Sequence, residues 1–374
     1  MIPACLALLL LSTGFIALPW VIYPWLMIRR AARHRAPVGG AASGETIVSV
    51  VLATREPVGD VRARIDDLLS GDWPSRDLEI VVAVDGDPAS YRFPDLAHAP
   101  GRLLVVGADT PGGKASALNA GVRAATADIL IFTDTHQRFA AEAIPRLAAA
   151  LSDGRFGAVS GALRLGNERG SPLSQYWESE RLLREAEGKL HSTIGVSGSI
   201  YAMRRSLWNP LPAGLILDDL WVPMQLVLGG HRVGFQPLAE AFDTRSTAPG
   251  QEFRRKVRTL TGNFQLVAWL PAVLLPWRNP VWPQFVCHKL LRLLTPFAVL
   301  GLGLGILCVA FASDVRLGWL LLGALPALLL LSLMWRTGAG ARLRSALVWG
   351  LSMQGAIVVA TWKGLRGQWD VWKR

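Results

Sequence analysis

An α/β domain on a largely parallel sheet, carrying apolar helices at both ends, is the fold class this sequence predicts. Two observations carry that prediction. Between about residues 45 and 245, short continuous apolar runs alternate with helical patterns, as strands buried on both faces and their crossover helices do. Outside that interval long apolar runs dominate, so that 51% of the 374 residues are hydrophobic and the mean hydropathy is +0.32.

The first element is "IPACLALLLLSTGFIALPWVIYPWLMI" (2–28). It is longer than the roughly 20 apolar residues that span a bilayer. No basic region precedes it and no small-residue cleavage site follows, so it reads as an uncleaved anchor (1–28) rather than a signal peptide. "RRAARHR" comes next and, by the positive-inside rule, places the following chain in the cytoplasm. A small-residue linker, "APVGGAASG" (36–44), leads into the domain. There "TIVSVVLAT" (46–54) reads as a buried strand, "VGDVRARIDDLLSG" as a helix ending at Gly71, and "LEIVVAVDG" (78–86) and "GRLLVVGA" (101–108) as strands. "GKASALNAGVRAAT" reads as a helix, "DILIFTD" as a strand, and "AEAIPRLAAALSD" and "SQYWESERLLREAEGKLHS" as helices, the last long and amphipathic.

Residues 246–283 read as an interfacial segment, because "LVAWLPAVLLPW" (266–277) is too short to span and is broken by Pro271 and Pro276. The remainder, 284–374, reads as a second membrane region with runs at 290–312 and 317–335 and a weaker one at 345–362. A crossing by that last run would put "KGLRGQWDVWKR" outside, against the charge rule. The net charge of +11 sits largely on Arg and Lys flanking these runs, which suits membrane lipids as partners. No basic stripe with interleaved aromatics runs through the soluble middle, so nucleic acid is not an expected partner. Cys5, Cys287 and Cys308 have no metal-ligand spacing and read as small apolar residues.

In parallel α/β sheets ligands bind beyond the carboxyl ends of the strands. Glu56, Asp85 and Asp134 sit at or just past three such ends. "TPGGKASALNAG" adds Lys114 at a helix start beside glycines, a position suited to an anionic ligand. It is not a P-loop: the spacing from Gly107 is one residue too long, and Ala115 stands where a magnesium-ligating hydroxyl is required.

The ordered set "VVLATRE", "VVAVDGDP", "GGKASALNAG", "ILIFTDTH", "GVSGSIYAMRR" and "LILDDLWVPMQLVLGGHRV" resembles the membrane-anchored family 2 glycosyltransferases of GT-A (Rossmann-like) fold, in the branch of cellulose- and hyaluronan-synthase-like enzymes. The resemblance runs from about Ile47 to Gln265. It implies a nucleotide-sugar donor bound by Glu56 and Asp85 at the nucleotide and by Lys114 at the diphosphate. It implies a divalent cation, Mn²⁺ or Mg²⁺, on Asp134, the first acid of the family's D-x-D motif. Asp219 aligns with the catalytic base, with Asp218 before it; one of the two acids is expected to cap the helix Leu220–Leu228 and the other to take the acceptor proton. Gly198 would let a sugar approach closely. Inversion of the sugar follows from in-line attack.

Two departures from the family pattern matter. His136 replaces the second acid of D-x-D and is a metal ligand suited to Mn²⁺, a phosphate partner, or a filler. In the place of Q-x-x-R-W the chain reads "RKVRT": Arg258 matches the arginine, Arg255 stands for Gln and Thr259 for Trp. The missing tryptophan favours one or a few sugar additions to a lipid or glycan hydroxyl over a processive exopolysaccharide synthase. Arg255 and Arg258 would serve the diphosphate, lipid headgroups, or both. His288, Lys289 and Arg292 open a span, where they snorkel, meet a lipid-phosphate acceptor or line an exit path. The expected setting is the inner (plasma) membrane with a cytoplasmic catalytic domain, with an export complex as a further partner. A catalytically silent scaffold is the rival class, motivated by the missing second metal acid.

Overall fold

The computed structural model describes residues 2–34, 46–96, 101–165, 172–243, 249–334 and 338–370. The linker 36–44 lies outside them, as do parts of "RTGAGARLR" and the last four residues.

The first strands form because β-branched and aliphatic residues run without interruption. These are β1 (Val48–Thr54), β2 (Leu78–Val84), β3 (Arg102–Gly107) and β4 (Ile129–Thr133), and β1 and β2 are almost wholly buried. Helices α3 (Val58–Leu69), α4 (Lys114–Ala124), α5 (Ala143–Leu151) and α6 (Pro172–Leu190) lie between or after them; α1 (Ile2–Ala17) and α2 (Tyr23–Ala31) precede them. The sheet is continued by β5 (Gln137–Phe139), β6 (Phe156–Leu165), β7 (Ile200–Arg204) and β8 (Arg232–Asp243), in the order β3-β2-β1-β4-β7-β6-β8-β5. Pairings β3–β2–β1–β4 are parallel, whereas β7 runs antiparallel to both β4 and β6. The parallel half matches the expected sheet; β5, β6 and β8 were not foreseen.

Two apolar cores cover the sheet. On one face Val61, Ile65 and Leu68 of α3 meet Ile144, Leu147 and Leu151 of α5 over β1, β2 and β4. On the other, Leu118 and Val122 of α4 pack with Trp221 and Met224 of α7 (Asp218–Leu228). Each fully buried aliphatic side chain contributes about 1.5–3 kcal/mol. The buried Glu79 of β2 is held by the Thr126 N–H at 2.8 Å, Arg102 at 3.0 Å and the Ser49 hydroxyl.

Helix α8 (Pro249–Trp269) runs beneath the segment leading into α7. Its Gln265 is fully buried, donates to the Gly214 carbonyl at 3.0 Å and accepts from the Ile216 N–H at 2.8 Å. One turn earlier Gly262 leaves room for Leu217, since a Cβ there would lie 2.4 Å from Leu217 Cγ. Residues 266–277 therefore divide: the first four finish α8 with Leu266 buried, and Pro271–Leu274 form a short 3₁₀ turn before the exposed Trp277.

Short helices α9 (Trp282–Phe285) and α10 (Leu291–Leu293) flank a π-turn at Val286–Leu290 and lead to α11 (Thr295–Ser313), α12 (Val315–Met334) and α13 (Gly338–Leu365). Among the described residues three helices are long and apolar enough to cross a membrane: Ile2–Ala31, Thr295–Ser313 and Arg344–Leu365. The run expected to be weakest is thus one of the three, because α13 extends well beyond it. Helix α1 packs along α11, and α13 along α8, where Gly364 admits the Phe264 ring. Cys5 and Cys308 form a disulfide across the α1–α11 contact, which corrects the expectation that both are plain apolar residues; helix packing brings their Cα atoms to 5.7 Å.

Replacing Gln265 with Leu strands the buried Ile216 N–H ahead of α7, whereas the Gly214 carbonyl belongs to an exposed residue. The Gln265→Leu variant is expected to lose about 1–3 kcal/mol, read as a lowered denaturant midpoint in detergent.

Candidate active site

The carboxyl ends of β1, β2 and β4 and the starts of α4 and α7 converge on one edge of the sheet. Asp85 follows β2, and its Oδ1 accepts from the Gly113 N–H at 2.7 Å. Gly112 and Gly113 adopt φ of 86° and 89°, a region that favours glycine, and a Cβ on Gly112 would sit 3.0 Å from Asp85 Oδ1. This loop aims Lys114, the first residue of α4, across the edge.

The Lys114 ammonium lies 3.3 Å from Asp134 Oδ1 and 3.3 Å from Asp218 Oδ2. Burial works against its charge, but Asp134, Asp218 and Asp219 outweigh it and hold the ammonium above its ordinary pKa. Asp219 is adjacent. Burial, then the neighbouring Asp218, push its carboxyl up, while Lys114, Arg184 and Lys289 pull it down. Gly198 stands against this group: a Cβ there would come within 3.3 Å of Asp219 Cβ and 3.8 Å of Lys114 Nζ. The Asp219 carbonyl accepts from the Val196 N–H at 2.9 Å, which ties the glycine-containing turn before β7 to the start of α7.

Neither acid is a side-chain cap. The helix begins at Asp218, Leu217 occupies the N-cap position, and both acids lie in the first turn, where the helix dipole favours negative charge. The expectation that one of the two acids caps the helix is corrected accordingly.

Asp134 and His136, expected as joint ligands, also go to different partners. The chain bends at residues 135 and 136, so the alternation of an extended strand does not hold there. Asp134 turns to Lys114, whereas His136 Nε2 lies 3.4 Å from Glu56 Oε2. Glu56, Asp60 and His136 bring ligand atoms within 4.8 Å of one another, a group that could hold a metal ion. Asp60 was missed by sequence reasoning because an acid in the first turn of a helix has an ordinary dipole role; its i, i+4 spacing from Glu56 was the available signal.

Arg258 is half-buried on α8; burial lowers its pKa, and Asp219 and Asp218 pull the other way. Arg255 is turned elsewhere, with its guanidinium 5.9 Å from the Trp177 ring of α6. Thr259 is exposed, and its hydroxyl bonds back to the Arg255 carbonyl at 3.0 Å. Sequence reasoning also missed Arg64 and Tyr201. Arg64 is fully buried under the β4 end and donates to Thr133 Oγ1 at 2.7 Å; burial pushes its pKa down to about 10. Tyr201 stacks on Phe132 at 4.5 Å, and its pKa is pushed well above the ordinary range by burial and then by Asp218, Asp219 and Asp134.

Residues 49–209 match the family model described as Glycosyl transferase family 2. No curated protein matches the chain by sequence. Among solved structures, the mannosyltransferase PcManGT from Pyrobaculum calidifontis, in complex with GDP-Man and Mn²⁺, is similar over 97% of this chain and 99% of its own, with a TM-score of 0.75 and 22% identity. S. aureus TarS 1-349 is similar over 70% of this chain and 88% of its own, with a TM-score of 0.43 and 15% identity. GalNAc-T7 with UDP, GalNAc and Mn²⁺ is similar over 60% of this chain and 48% of its own, with a TM-score of 0.42 and 15% identity. The first likeness extends the shared fold through both apolar ends of the chain. With Glu56, Asp85, Lys114, Asp134 and the glycine turn inside the matched segment, and Asp218 and Asp219 just beyond it, the chain is a glycosyltransferase whose residues 49–209 form a glycosyl transferase family 2 domain of GT-A-like fold.

Proposed function

We propose that this enzyme moves a sugar from a nucleoside-diphosphate donor to a hydroxyl of a lipid or glycan, with inversion, at the cytoplasmic face of the inner (plasma) membrane. The observation that carries this reading is the Lys114 ammonium held between Asp134 and Asp218, with Asp219 and Gly198 beside it. Asp85, one oxygen of which fixes the glycine loop, has its other oxygen for an N–H of the nucleotide base. Lys114 and Arg258 offset diphosphate charge. Asp219 takes the proton of the acceptor hydroxyl; burial and Asp218 make its carboxylate more basic, which favours that role.

Glu56, Asp60 and His136 would hold the divalent cation, and two carboxylates with one imidazole suit Mn²⁺ better than Mg²⁺. Asp134, the expected ligand, is engaged by Lys114. When bound, the cation neutralises charge on the departing nucleoside diphosphate. Transfer of one or a few sugars, rather than a polymer, is favoured by Thr259, which offers only a short hydroxyl side chain where a tryptophan platform would stand. The disulfide supports the orientation: Cys5 near the start of α1 and Cys308 near the end of α11 would share the oxidising, extracytoplasmic side. An export complex as partner has no supporting contact here and stays an expectation.

Asp219→Asn is expected to lower kcat by about 10²–10⁴-fold while leaving donor binding intact; transfer at the wild-type rate would remove Asp219 from the role of base. Lys114→Gln removes a charge that lowers the Asp219 pKa, so the acidic limb of the pH–rate profile should move to higher pH. An unmoved limb would separate the two residues. Mn²⁺ should support higher activity than Mg²⁺, and His136→Asp should shift the preference towards Mg²⁺; measured metal dependence that ignores the substitution argues against ligation by His136.

A further inference from the structure

Helix α3 places Asp60, Arg64 and Asp67 at i, i+4 and i+7, on one face. Asp60 belongs to the group that could hold a metal ion, whereas Arg64 is fully buried and Asp67 half-buried. Arg64 pairs with Asp67, but its Nε is buried without a partner among the described residues. A buried guanidinium is costly to desolvate, and an apolar side chain would fill the same space at less cost.

What Arg64 and Asp67 hold is the bend between β4 and β5. The Arg64 guanidinium donates to Thr133 Oγ1 at 2.7 Å and lies 4.1 Å from the centre of the Phe139 ring. Asp67 Oδ2 accepts from the Phe139 N–H at 3.3 Å, so both ends of the segment 133–139 are fixed to one helix. Arginine only donates, so the Thr133 hydroxyl accepts from it and sends its own proton to the Asp134 carbonyl, 3.3 Å away. That orients the peptide between Asp134 and Thr135.

In the middle of the segment Thr135 is buried, and its hydroxyl lies 2.8 Å from the buried Thr54 hydroxyl at the end of β1. Thr54 Oγ1 also accepts from the Glu56 N–H at 3.0 Å, and the Glu56 carbonyl accepts from the Tyr91 hydroxyl at 2.6 Å. With Thr135 turned inward, its neighbours Asp134 and His136 go to different partners, Lys114 and Glu56.

We propose that Arg64, Thr133, Thr135 and Thr54 are positioning residues that hold His136 and Glu56 at the spacing a shared divalent cation needs. This rests on the cation site of the proposed function and adds the residues behind its ligands. None of the four belongs to the ligand group itself. Each acts through a hydrogen bond to the backbone or hydroxyl that carries a ligand, and such partners contribute about 10–100-fold in metal affinity.

The test uses the full chain in detergent, titrated with Mn²⁺ alone and with GDP or UDP present, free Mn²⁺ being read from its electron paramagnetic resonance signal. Thr133→Val and Thr135→Val keep the side-chain shape but lose the hydroxyl, and each should weaken Mn²⁺ binding at least about tenfold. Thr133→Ser and Thr135→Ser should bind Mn²⁺ as wild type does. Metal-free melting temperatures report folding, and titrations are run below the lowest of them. The Val and Ser pairs also keep the test independent of Arg64→Met, which strands Asp67. Wild-type Mn²⁺ affinity in either Val variant, even with a lowered melting temperature, overturns the inference, as does an equal loss in Ser and Val variants. If His136→Ala leaves Mn²⁺ affinity intact, it is the cation site itself that fails.

Discussion

Bringing Asp134, Asp218 and Asp219 to one edge of the sheet is possible because the Lys114 ammonium stands among them. Two carboxylates about 4 Å apart repel by about 4 kcal/mol at an effective dielectric of 20, a large part of a domain's stability. The lysine reverses that sign and makes three chain segments mutually dependent: the end of β4, the start of α4 and the start of α7. Its own placement comes from the paired glycines and from Asp85, so β2 is drawn into the same constraint. On the α7 side, Gln265 and Gly262 of α8 fix the approach of Leu217. The site is therefore coupled to the apolar end of the chain through α8, along which α13 packs.

A second junction ties that end to the domain. His288 bridges two glutamates of α6, and Tyr23 of α2 and Arg292 ahead of α11 complete the set. Burial alone would raise the Glu180 carboxyl, but His288 and Arg292 hold it well below the usual carboxylate range. Such a buried network is costly to break, since removal of one partner leaves an uncompensated charge. It fixes how α2 and the entry to α11 meet α6.

Much of this was legible in the sequence, for identifiable reasons. The strands β1 to β4 and helices α3 to α6 carry uninterrupted apolar runs or clear helical periodicity. Strand β6 does not. Gly157 and Gly161 break its pattern, and they are required: a Cβ at Gly161 would fall 2.6 Å from the Ala239 carbonyl oxygen. Register shifts between β6 and β8 disturb the period-two alternation that would have marked both. The acids were legible because strand ends expose them, but the partners they choose were not. Asp134 and His136 look equivalent until the backbone bends between them. Arg184 is hidden in "ERLLREAEGK", where the neighbouring charges do pair as exposed helices allow: Arg181 with Glu178 and Glu185, and Lys189 with Glu185. Arg184 is left out of that pairing, on the side of the helix where Glu180 and Glu187 are buried.

The arrangement also bears on stereochemistry. In-line displacement needs the attacking oxygen and the leaving group on opposite sides of the anomeric carbon. In the proposed reading the donor residues sit at the ends of β1, β2 and β4, whereas Arg184 and Lys289 belong to α6 and the turn before α11. Asp219 experiences charges from both groups, Lys114 from one and Arg184 with Lys289 from the other. In the proposed transfer Asp219 would take the acceptor proton while the nucleoside diphosphate leaves along the strand ends. A single displacement of that kind would invert the sugar and would need no protein nucleophile. The acids there are already committed, Asp134 and Asp218 to Lys114 and Glu56 to His136.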